Sequence, residues 1–428
     1  MTSGESYWDI VWRQFCKNRL SLAALGTLVP LFLLAIFAPV IASNVPFYYR
    51  DERGAIWPWF RALLNPEETV DYWFNLALVV FFPWVIVSTV WHYWFAGKTQ
   101  RKRLRVGVFA GLYVGMIVAL AVILQIPGVR PDNRHRARTF PEEEFRRAGQ
   151  VVAIYPPIPF GPTEQDMDSP VKPPFYRKPR YMPPPPGPSG QTGEPVLFWR
   201  KSNDGFPHIL GTDDVGRDVL VRMLYGLRIS LTVGFVAVGI YMTIGIILGA
   251  LAGYFGGFLD IIISRLIEVI MLFPAFFLIL TLVGLLGQSI YIIMVVIGLT
   301  GWPTIARLIR GEVLKQRNTD YVTAAKAAGA SDLRIIFRHV LPNAVSPAMV
   351  AAPFGIAGAI ITEAGLSLLG FGVRLPAPSW GLLLRTGSEN YHYWWLVVFP
   401  SLAMFITVTA FNLVGNGLRD AMDPRLRI

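Results

Sequence analysis

The sequence of 428 residues has one cysteine, Cys16, and five histidines. A single cysteine excludes an intrachain disulfide framework and cannot build a thiolate metal site alone. The histidines show no spacing typical of zinc ligands, such as His-Glu-x-x-His. No acid–base pair or nucleophile triad stands out either. The sequence therefore predicts no catalytic residue, no metal site and no cofactor in this chain.

Charged residues are also scarce, at 16%, whereas 53% of the residues are hydrophobic. This composition is too apolar for an ordinary soluble protein, and apolar runs of about 18 or more residues recur, as in membrane-spanning helices. The net charge of +11 could suggest nucleic acid. The basic residues, however, stand at the ends of apolar runs, where they set membrane orientation, which argues against nucleic acid as a partner.

The apolar runs predict an all-α polytopic membrane protein with about eight transmembrane helices, three N-terminal ones and a five-helix block. They cover roughly residues 20–42, 72–95, 104–126, 230–254, 261–286, 290–309, 346–373 and 394–418. The end of the first run resembles a signal-peptide cleavage site. The run is longer than a signal core of about 7–15 residues, however, and we favour a retained span.

The flanking charges predict the orientation. Residues 97–105 hold five Lys/Arg and no acid, so this short loop is expected in the cytoplasm, and eight spans then place both termini and residues 310–345 on the same side. Residues 127–218 hold 18 of the 33 prolines and predict an extended extracytoplasmic segment. Six arginines between residues 130 and 147 argue against an outside location, although long loops largely escape the rule.

A nucleotide site is not expected in this chain. Gly97-Lys98-Thr99 looks like the end of a phosphate-binding loop, but His92 stands where that motif needs glycine, and no strand precedes it. Any nucleotide-driven step would need another chain.

A polar leader precedes the five-helix block. Its candidate residues are Gly211, Thr212, Asp213, Gly216, Arg217 and Asp218. Residues 212–214 can cap a short helix with an apolar stripe, and Arg217, Arg222 and Arg228 would then lie toward lipid headgroups, as in an interfacial helix. The aspartates also suggest a calcium loop, but EF-hand spacing and the distal glutamate are missing.

Three further features lie inside the predicted spans. Gly245, Gly249 and Gly253 repeat at four-residue spacing, which favours close helix packing either within this subunit or against a partner. Arg265 and Glu268 are three residues apart and can pair along one helix. Glu363 has no local partner in the sequence. Because ionisable groups are expensive in hydrocarbon, a pore-facing or hinge role and a structural hydrogen bond or interhelical pair both stay open.

The segment from Tyr321 to Asn343 predicts two short helices joined at Gly329, which permits a left-handed turn. Its alanines are good helix formers with small side chains, Ser331 or Asp332 can cap the second helix, and Pro342 is expected to end it. Such a compact pair of helices between spans suits docking rather than chemistry. The residues singled out are Thr323, Ala324, Ala325, Ala328, Gly329, Asp332, His339, Leu341 and Pro342.

These segments together resemble the membrane-spanning permease subunits of ABC importers, in the oligopeptide/dipeptide/nickel group. The docking segment is similar to the signature Glu-Ala-Ala-x3-Gly-x9-Ile-x-Leu-Pro, with Thr323 in place of the usual glutamate and His339 in place of the usual isoleucine. Also similar are the leader, Gly226-x-Arg228-x-Ser230, residues 366–372 and Arg419-Asp-x-x-Asp-Pro424. The resemblance covers roughly residues 205–428 and the first span.

The resemblance implies that residues 310–345, the coupling loop, seat on a cytoplasmic ATPase. It also implies a second homologous permease, two ABC ATPase subunits, an extracytoplasmic solute-binding protein, a peptide substrate and a bacterial-type inner membrane, with membrane lipid around the chain. We expect a transport subunit rather than an enzyme. Nickel or another small solute is the alternative substrate, and a channel or scaffold subunit without an ATPase is the alternative of another class.

With this resemblance the chain divides into four parts. Residues 1–45 form a cytoplasmic segment and the first span, and residues 46–127 form two accessory spans without a counterpart in the usual six-span pattern. Residues 128–227 form the proline-rich segment with the interfacial helix, and residues 228–428 form the permease core.

Overall fold

The computed structural model of the protein describes residues 7–51, 54–66, 69–95, 102–125, 152–167, 169–177, 206–389 and 392–423. Its helices are α1 (Tyr7–Lys17), α2 (Arg19–Ile41), α3 (Pro58–Leu64), α4 (Thr69–Phe95), α5 (Lys102–Ile123), α6 (Val219–Phe255), α7 (Gly257–Leu272), α8 (Ala275–Leu286), α9 (Ile290–Gln316), α10 (Asp320–Ala327), α11 (Asp332–Ile335), α12 (Leu341–Ala344), α13 (Ser346–Leu368), α14 (Trp380–Ser388) and α15 (Trp394–Met422). A π-helix, Ile336–Val340, lies between α11 and α12. The strands are β1 (Tyr48–Asp51), β2 (Gly54–Ile56), β3 (Val152–Ile154), β4 (Tyr176–Arg177) and β5 (Pro207–His208).

Several predictions concern residues outside the described ranges. These are the basic residues at positions 97–101, the arginines between residues 130 and 147, the prolines at positions 183–186 and Pro424.

The described residues include six helices that are long and apolar enough to cross a membrane: α2, α4 over Thr69–Thr89, α6, α9, α13 and α15. Helices α7 and α8 together would make a seventh, bent by 85°. Helix α5 contributes a shorter apolar stretch, Gly111–Ile123. The predicted all-α polytopic architecture is confirmed, and the count of eight spans stays a prediction.

The predicted span at residues 261–286 is broken rather than continuous. Phe273 is extended, with φ −86° and ψ 134°, and Pro274 stands at the N-cap of α8. Proline has no N–H to continue the helix and disfavours helical backbone in the residue before it. Helices α7 and α8 therefore leave this point in different directions.

The predicted short interfacial helix after the leader is wrong, because α6 is one helix of 37 residues. At 1.5 Å per residue it is about 55 Å long, well beyond a hydrocarbon core of about 30 Å. Its first turn is capped by Asp218, whose Oδ1 accepts a hydrogen bond from the backbone N–H of Val221 at 2.9 Å. The leader thus continues directly into a span.

The structure forms two compact units, of which the first comprises Met1–Leu31 and Ile229–Ile428. In this unit the glycine face of α6 lies against α9. A Cβ atom added at Gly249 would lie 2.5 Å from the carbonyl oxygen of Ala306, and one at Gly253 would lie 2.8 Å from that of Arg310. Of the two alternatives for this face, the structure shows packing within the subunit.

The first unit also buries α1 against α15. Val11 and Phe15 form a buried cluster with Ala421 and Met422. The Ser21 hydroxyl, on α2, donates to the carbonyl oxygen of Leu413 at 2.9 Å. The N-terminal helices therefore pack on the last helix of the chain.

The second unit comprises Phe32–Arg228. Strand β1 pairs antiparallel with β2 and β3, so that Tyr48 lies opposite Ile154, and β4 pairs antiparallel with β5. A buried cluster joins Ala38, Ala42, Ile158, Phe160, Val221 and Tyr225. Residues of the proline-rich segment such as Ile158 and Phe160 therefore fold onto the C-terminal end of α2 and the N-terminal end of α6 within this unit.

Candidate functional site

The coupling loop connects α9 to α13, and its first half is helix α10. Ala328 is the C-cap of this helix, and Gly329 follows with φ +78°. The backbone N–H of Ala330 donates to the carbonyl oxygen of Ala325 at 3.1 Å, which closes the end of the helix. The predicted left-handed turn at Gly329 is confirmed, because a residue without Cβ adopts this conformation at low cost.

The second half of the coupling loop corrects the predicted role of Pro342. Helix α11, the π-helix and α12 follow one another without a break, and Pro342 stands in the first turn of α12. Leu341 keeps helical dihedral angles and donates its backbone N–H to the carbonyl oxygen of Ile336, and the N–H of Val345 donates to the carbonyl oxygen of Leu341 at 3.0 Å, so backbone hydrogen bonds flank the proline on both sides. The helical run therefore continues to Ala344 instead of ending at the proline.

The end of α6 anchors the coupling loop. The Tyr254 hydroxyl donates to Asp332 Oδ1 at 2.7 Å, and Lys326 Nζ lies 5.1 Å from the centre of the Tyr254 ring. Arg317 Nη1 donates to the carbonyl oxygen of Tyr254 at 3.2 Å, an orphan acceptor at a helix C-terminus. Ser331 is the N-cap of α11 by position but makes no side-chain cap bond. Asp332 thus holds the loop to α6 rather than capping α11.

The coupling loop has one buried and one exposed face. The buried side chains are Val322, Ile335, Ile336, Val340 and Ala344. The exposed residues include Ala324, Ala328 and Gly329 and two large apolar residues, Leu333 and Phe337, each 61% exposed. Exposed apolar side chains grouped with small residues are typical of an interaction surface. Leu333 and Phe337 escaped the sequence reasoning, although their four-residue spacing is a signal for one helix face.

The two positions that depart from the family signature lie on different surfaces. Thr323 is exposed, and its hydroxyl donates to the carbonyl oxygen of Thr319 at 3.2 Å. His339 is half-buried in the π-helix, and its carbonyl oxygen accepts from Asn343 Nδ2 at 3.1 Å. Ala325 and Leu341 are also half-buried. Thr323 therefore presents a hydrogen-bonding group where a carboxylate is usual.

The leader residues come together around Asp213. Its Oδ1 accepts from the backbone N–H groups of Val215 at 3.1 Å and Arg217 at 2.9 Å. Its Oδ2 accepts from Arg217 Nε at 2.7 Å and lies 3.4 Å from Arg222 Nε. These donors occupy the carboxylate, which argues against the calcium alternative. Across the residues that the structure describes, no group of three or more His, Cys, Asp or Glu is placed to hold a metal ion.

The flanks of the leader are equally buried. The Thr212 hydroxyl donates to the carbonyl oxygen of Ser169 at 2.9 Å, and Asp218 Oδ2 lies 2.8 Å from His208 Nδ1. Gly216 has φ +78°, and a Cβ there would lie 1.9 Å from a backbone oxygen of Asp166. Gly211 accepts a backbone hydrogen bond from Val219 at 3.0 Å. The leader is a tightly folded structural element.

The prediction that Arg217, Arg222 and Arg228 lie toward headgroups is wrong. They are 3%, 0% and 0% exposed. Arg217 pairs with Asp213, and Arg222 Nη1 donates to the carbonyl oxygen of Pro162 at 3.3 Å. A guanidinium has five donors in a fixed fork, so burial is possible where acceptors surround it.

Arg228 links one accessory helix to the rest of the second unit. Its Nη1 donates to Asp71 Oδ1 at 2.8 Å and to Asn75 Oδ1 at 3.0 Å, both on α4. Its Nε donates to the carbonyl oxygen of Ala35 at 2.6 Å, and Nη2 donates to that of Ile36 at 3.1 Å. The sequence offered no account of this accessory span, and the structure shows that it supplies the counter-ion of a buried arginine.

Glu363 is fully buried on α13. The expectation that it has no local partner is wrong. Its Oε1 accepts from the Ser367 hydroxyl at 2.7 Å, one turn later, and from the Ser379 hydroxyl at 2.8 Å. Because Ser379 is the N-cap of α14, the carboxyl group connects α13 to the start of α14. Of the open alternatives, the structure shows a hydrogen-bonding role.

Arg265 and Glu268 form the predicted pair on α7. Arg265 Nη1 lies 2.5 Å from Glu268 Oε2, which confirms the pairing three residues apart. Their side chains are nevertheless 74% and 57% exposed. The pair thus lies on an open face of the chain, unlike Glu363.

The chain resembles known proteins over about half of its length. The family described as binding-protein-dependent transport system inner membrane component matches residues 245–428, and the N-terminal TM domain of oligopeptide transport permease C matches residues 6–59. A dipeptide transport system permease protein of Alkalihalophilus pseudofirmus is 40% identical over 51% of this chain and 73% of its own. An oligopeptide transport system permease protein of Haemophilus influenzae is 42% identical over 51% of this chain and 71% of its own. A chain of the inward-facing MetNI methionine ABC transporter is 18% identical, with a TM-score of 0.40, over 47% of this chain and 96% of that one.

Proposed function

The chain belongs to the family of binding-protein-dependent transport system inner membrane components, and on this premise we propose that it is one permease subunit of an ATP-driven peptide importer. As a member of this family, the chain is a multi-pass inner membrane protein and a transport component rather than an enzyme. The family also implies a second permease and an ATPase in the complex. The observation that carries the proposal is the coupling loop, which is anchored on its buried face and exposes small and apolar side chains on the other.

Peptides are the proposed substrate class. Two relatives are named for dipeptide and oligopeptide transport, and the match at residues 6–59 is to an oligopeptide permease domain. A nickel or other small-solute importer is the alternative within the same family. We propose that a solute-binding protein delivers the peptide on the outer face of the membrane.

The coupling loop is proposed as the docking surface for the ATPase. Leu333 and Phe337 would enter an apolar groove on the ATPase, while Ala324 and Ala328 would allow its surface to approach closely. A hydrogen bond accepted by the Thr323 hydroxyl would replace the carboxylate contact of the usual signature, so apolar burial would carry more of the affinity than an ion pair does.

The anchors of the coupling loop suggest how motion spreads. A push on α10 and α11 would be passed to α6 through the Tyr254–Asp332 and Arg317–Tyr254 hydrogen bonds, and to α9 through the short connection at residues 317–319. Helix α13 follows α12 directly and moves with it. ATP-driven closure of the ATPases would in this way tilt the core helices and switch the pathway from outward-facing to inward-facing.

The proposed topology places both termini and the coupling loop in the cytoplasm. It is supported by seven Lys/Arg against three acids over residues 307–345. The proline-rich segment would then lie outside.

The coupling role is tested with Leu333→Glu and the matched control Leu333→Met. Leu333 is exposed on α11, so neither change removes a buried contact. A charged side chain in an apolar groove is costly to desolvate, and we expect Leu333→Glu to lose copurification of the ATPase and peptide-dependent ATP hydrolysis. Leu333→Met should retain both.

Unchanged copurification and hydrolysis in the Leu333→Glu variant would refute the docking surface. A wild-type subunit that never retains an ATPase would instead favour the channel or scaffold alternative.

A further inference from the structure

Helices α7 and α9 carry a polar face that the proposed docking leaves unused. Asp260, Ser264 and Glu268 repeat at four-residue spacing and so share one side of α7. Ser264 and Glu268 line an open cavity of about 500 Å³ together with Arg307 and Arg310 of α9. The remaining lining residues are Ile267, Met271 and Leu272. The volume falls within the range of about 300–1,000 Å³ that is usual for clefts that bind small molecules.

The charged residues of this face lie at different depths in the predicted spans. Glu268 is eleven residues from the start of α7 at Gly257, and Arg307 is nine residues from the end of α9 at Gln316. Counted from the predicted spans instead, Glu268 lies seven residues, about 10 Å, inside the span at 261–286, whereas Arg307 lies two residues, about 3 Å, from the end of the span at 290–309, beside the coupling loop.

Arg265, Glu268 and Arg307 are nevertheless exposed in the single subunit. Charged groups at membrane depth normally face a bundle interior, a partner or water, because hydrocarbon solvates them poorly. A concave face with charged walls therefore faces water or a partner subunit rather than the lipid boundary.

The ionised groups around the cavity carry one more positive charge than negative charges. Arg310 donates to both carboxylate oxygens of Asp260, with Nη2 at 2.8 Å, and Arg265 pairs with Glu268. Arg307 donates to Met271 Sδ at 2.7 Å, a weak acceptor. Within the described part of the chain, no carboxylate pairs with Arg307. The guanidinium fork is thus available to an anion from outside the subunit.

We propose that Arg307 binds the C-terminal carboxylate of a peptide in transit through this cavity, an assignment that rests on the proposed function. A guanidinium and a carboxylate form parallel, charge-assisted hydrogen bonds, which a main-chain terminus can make whatever its side chains are. The excess positive charge repels a bare divalent cation, so the cavity suits a carboxylate-bearing solute better than free nickel.

The test compares uptake of a dipeptide and of its C-terminal amide. Liposomes contain the complete transporter with both ATPases, and the solute-binding protein is present at saturation. The variants are Arg307→Gln, Arg307→Met and Arg307→Lys, and the control is Arg374→Gln, an exposed arginine in the connection between α13 and α14. Any preference of the solute-binding protein is common to all variants and cancels when their acid-to-amide ratios are compared.

The acid-to-amide uptake ratio should be about tenfold lower in Arg307→Gln and Arg307→Met than in the wild type, as expected for the loss of one charge-assisted pair. It should be nearly unchanged in Arg374→Gln. Arg307→Lys should keep most of the preference because it retains the charge. An unchanged ratio in both neutral variants overturns the inference, as does an equal loss of uptake of both peptides, which would indicate a structural role. If the wild-type transporter takes up neither peptide, the proposed substrate class fails, and this inference fails with it.

Discussion

The close packing of α6 on α9 gives a quantitative prediction for Gly249→Ala. The new Cβ would lie 2.5 Å from the carbonyl oxygen of Ala306, whereas ordinary contacts begin at 3.4 Å. The obstacle is backbone, so the helices must separate by about 0.9 Å, and a gap of about 0.5–1 Å forfeits a quarter to a half of the dispersion energy of each contact. We expect overpacking to lower the free energy of unfolding by about 1–3 kcal/mol.

Gly239→Ala is the matched control, because this glycine lies on the same helix and a Cβ there meets nothing within 4 Å. Alanine has the higher helix propensity, by about 1 kcal/mol, in both variants. The difference between the two variants therefore isolates the contact with α9 from the intrinsic preference of the helix.

The measurement is the thermal unfolding midpoint of the purified subunit in one detergent, followed by tryptophan fluorescence. Gly249→Ala should melt several degrees below Gly239→Ala, and Gly249→Leu lower still. Equal midpoints for Gly249→Ala and Gly239→Ala would refute the packing argument, because the clash would then cost nothing.

Three other substitutions test buried polar and backbone contacts. Asp71→Ala removes the counter-ion of the buried Arg228 and should lower the free energy of unfolding, measured by denaturant titration, by about 3 kcal/mol. Asp71→Asn should cause a smaller loss. Equal losses in the two variants would contradict a charge effect. Glu363→Leu leaves two buried serine hydroxyls without their acceptor and should lower the free energy of unfolding by about 1–3 kcal/mol for each hydroxyl. Glu363→Gln keeps an acceptor and should retain most of the heat stability. A Glu363→Gln variant as unstable to heat as Glu363→Leu would argue against the hydrogen bonds. Gly216→Ala would place a side chain at a φ of +78° with its Cβ 1.9 Å from the Asp166 carbonyl oxygen. We therefore expect little folded protein to accumulate in membranes. Accumulation at the wild-type level would contradict the close approach.

Features set by neighbouring residues were predictable from the sequence. The apolar runs located the six described helices that are long and apolar enough to cross a membrane, because crossing requires a minimum length of apolar helix. The turn at Gly329 and the Arg265–Glu268 pair were also predicted correctly, since each depends on residues within one or two helical turns. Pro342 was the local exception, because it lies where a π-helix passes into α12, and the sequence did not indicate a π-helix.

The partners of the buried charges were not predictable in the same way. Arginines near the ends of apolar runs suggested headgroups, yet Arg228 is held by Asp71 and Asn75, which lie more than 150 residues earlier. One hydrogen-bond partner of Glu363 is Ser379, which lies beyond the end of α13, the helix that carries Glu363. Burial of a charge depends on which acceptors surround it, and these come from separate segments.

Length, hydropathy and local spacing were thus sufficient to predict a polytopic helical protein with a short helical loop between two of its long helices. Tertiary structure was needed to show that the leader is buried, that the glycine face packs on α9 and that an accessory helix neutralises Arg228. The physical reason is one of range. Helix formation and membrane insertion depend on continuous stretches of sequence, whereas the packing of glycines and the pairing of buried charges depend on residues that meet only when the chain has folded.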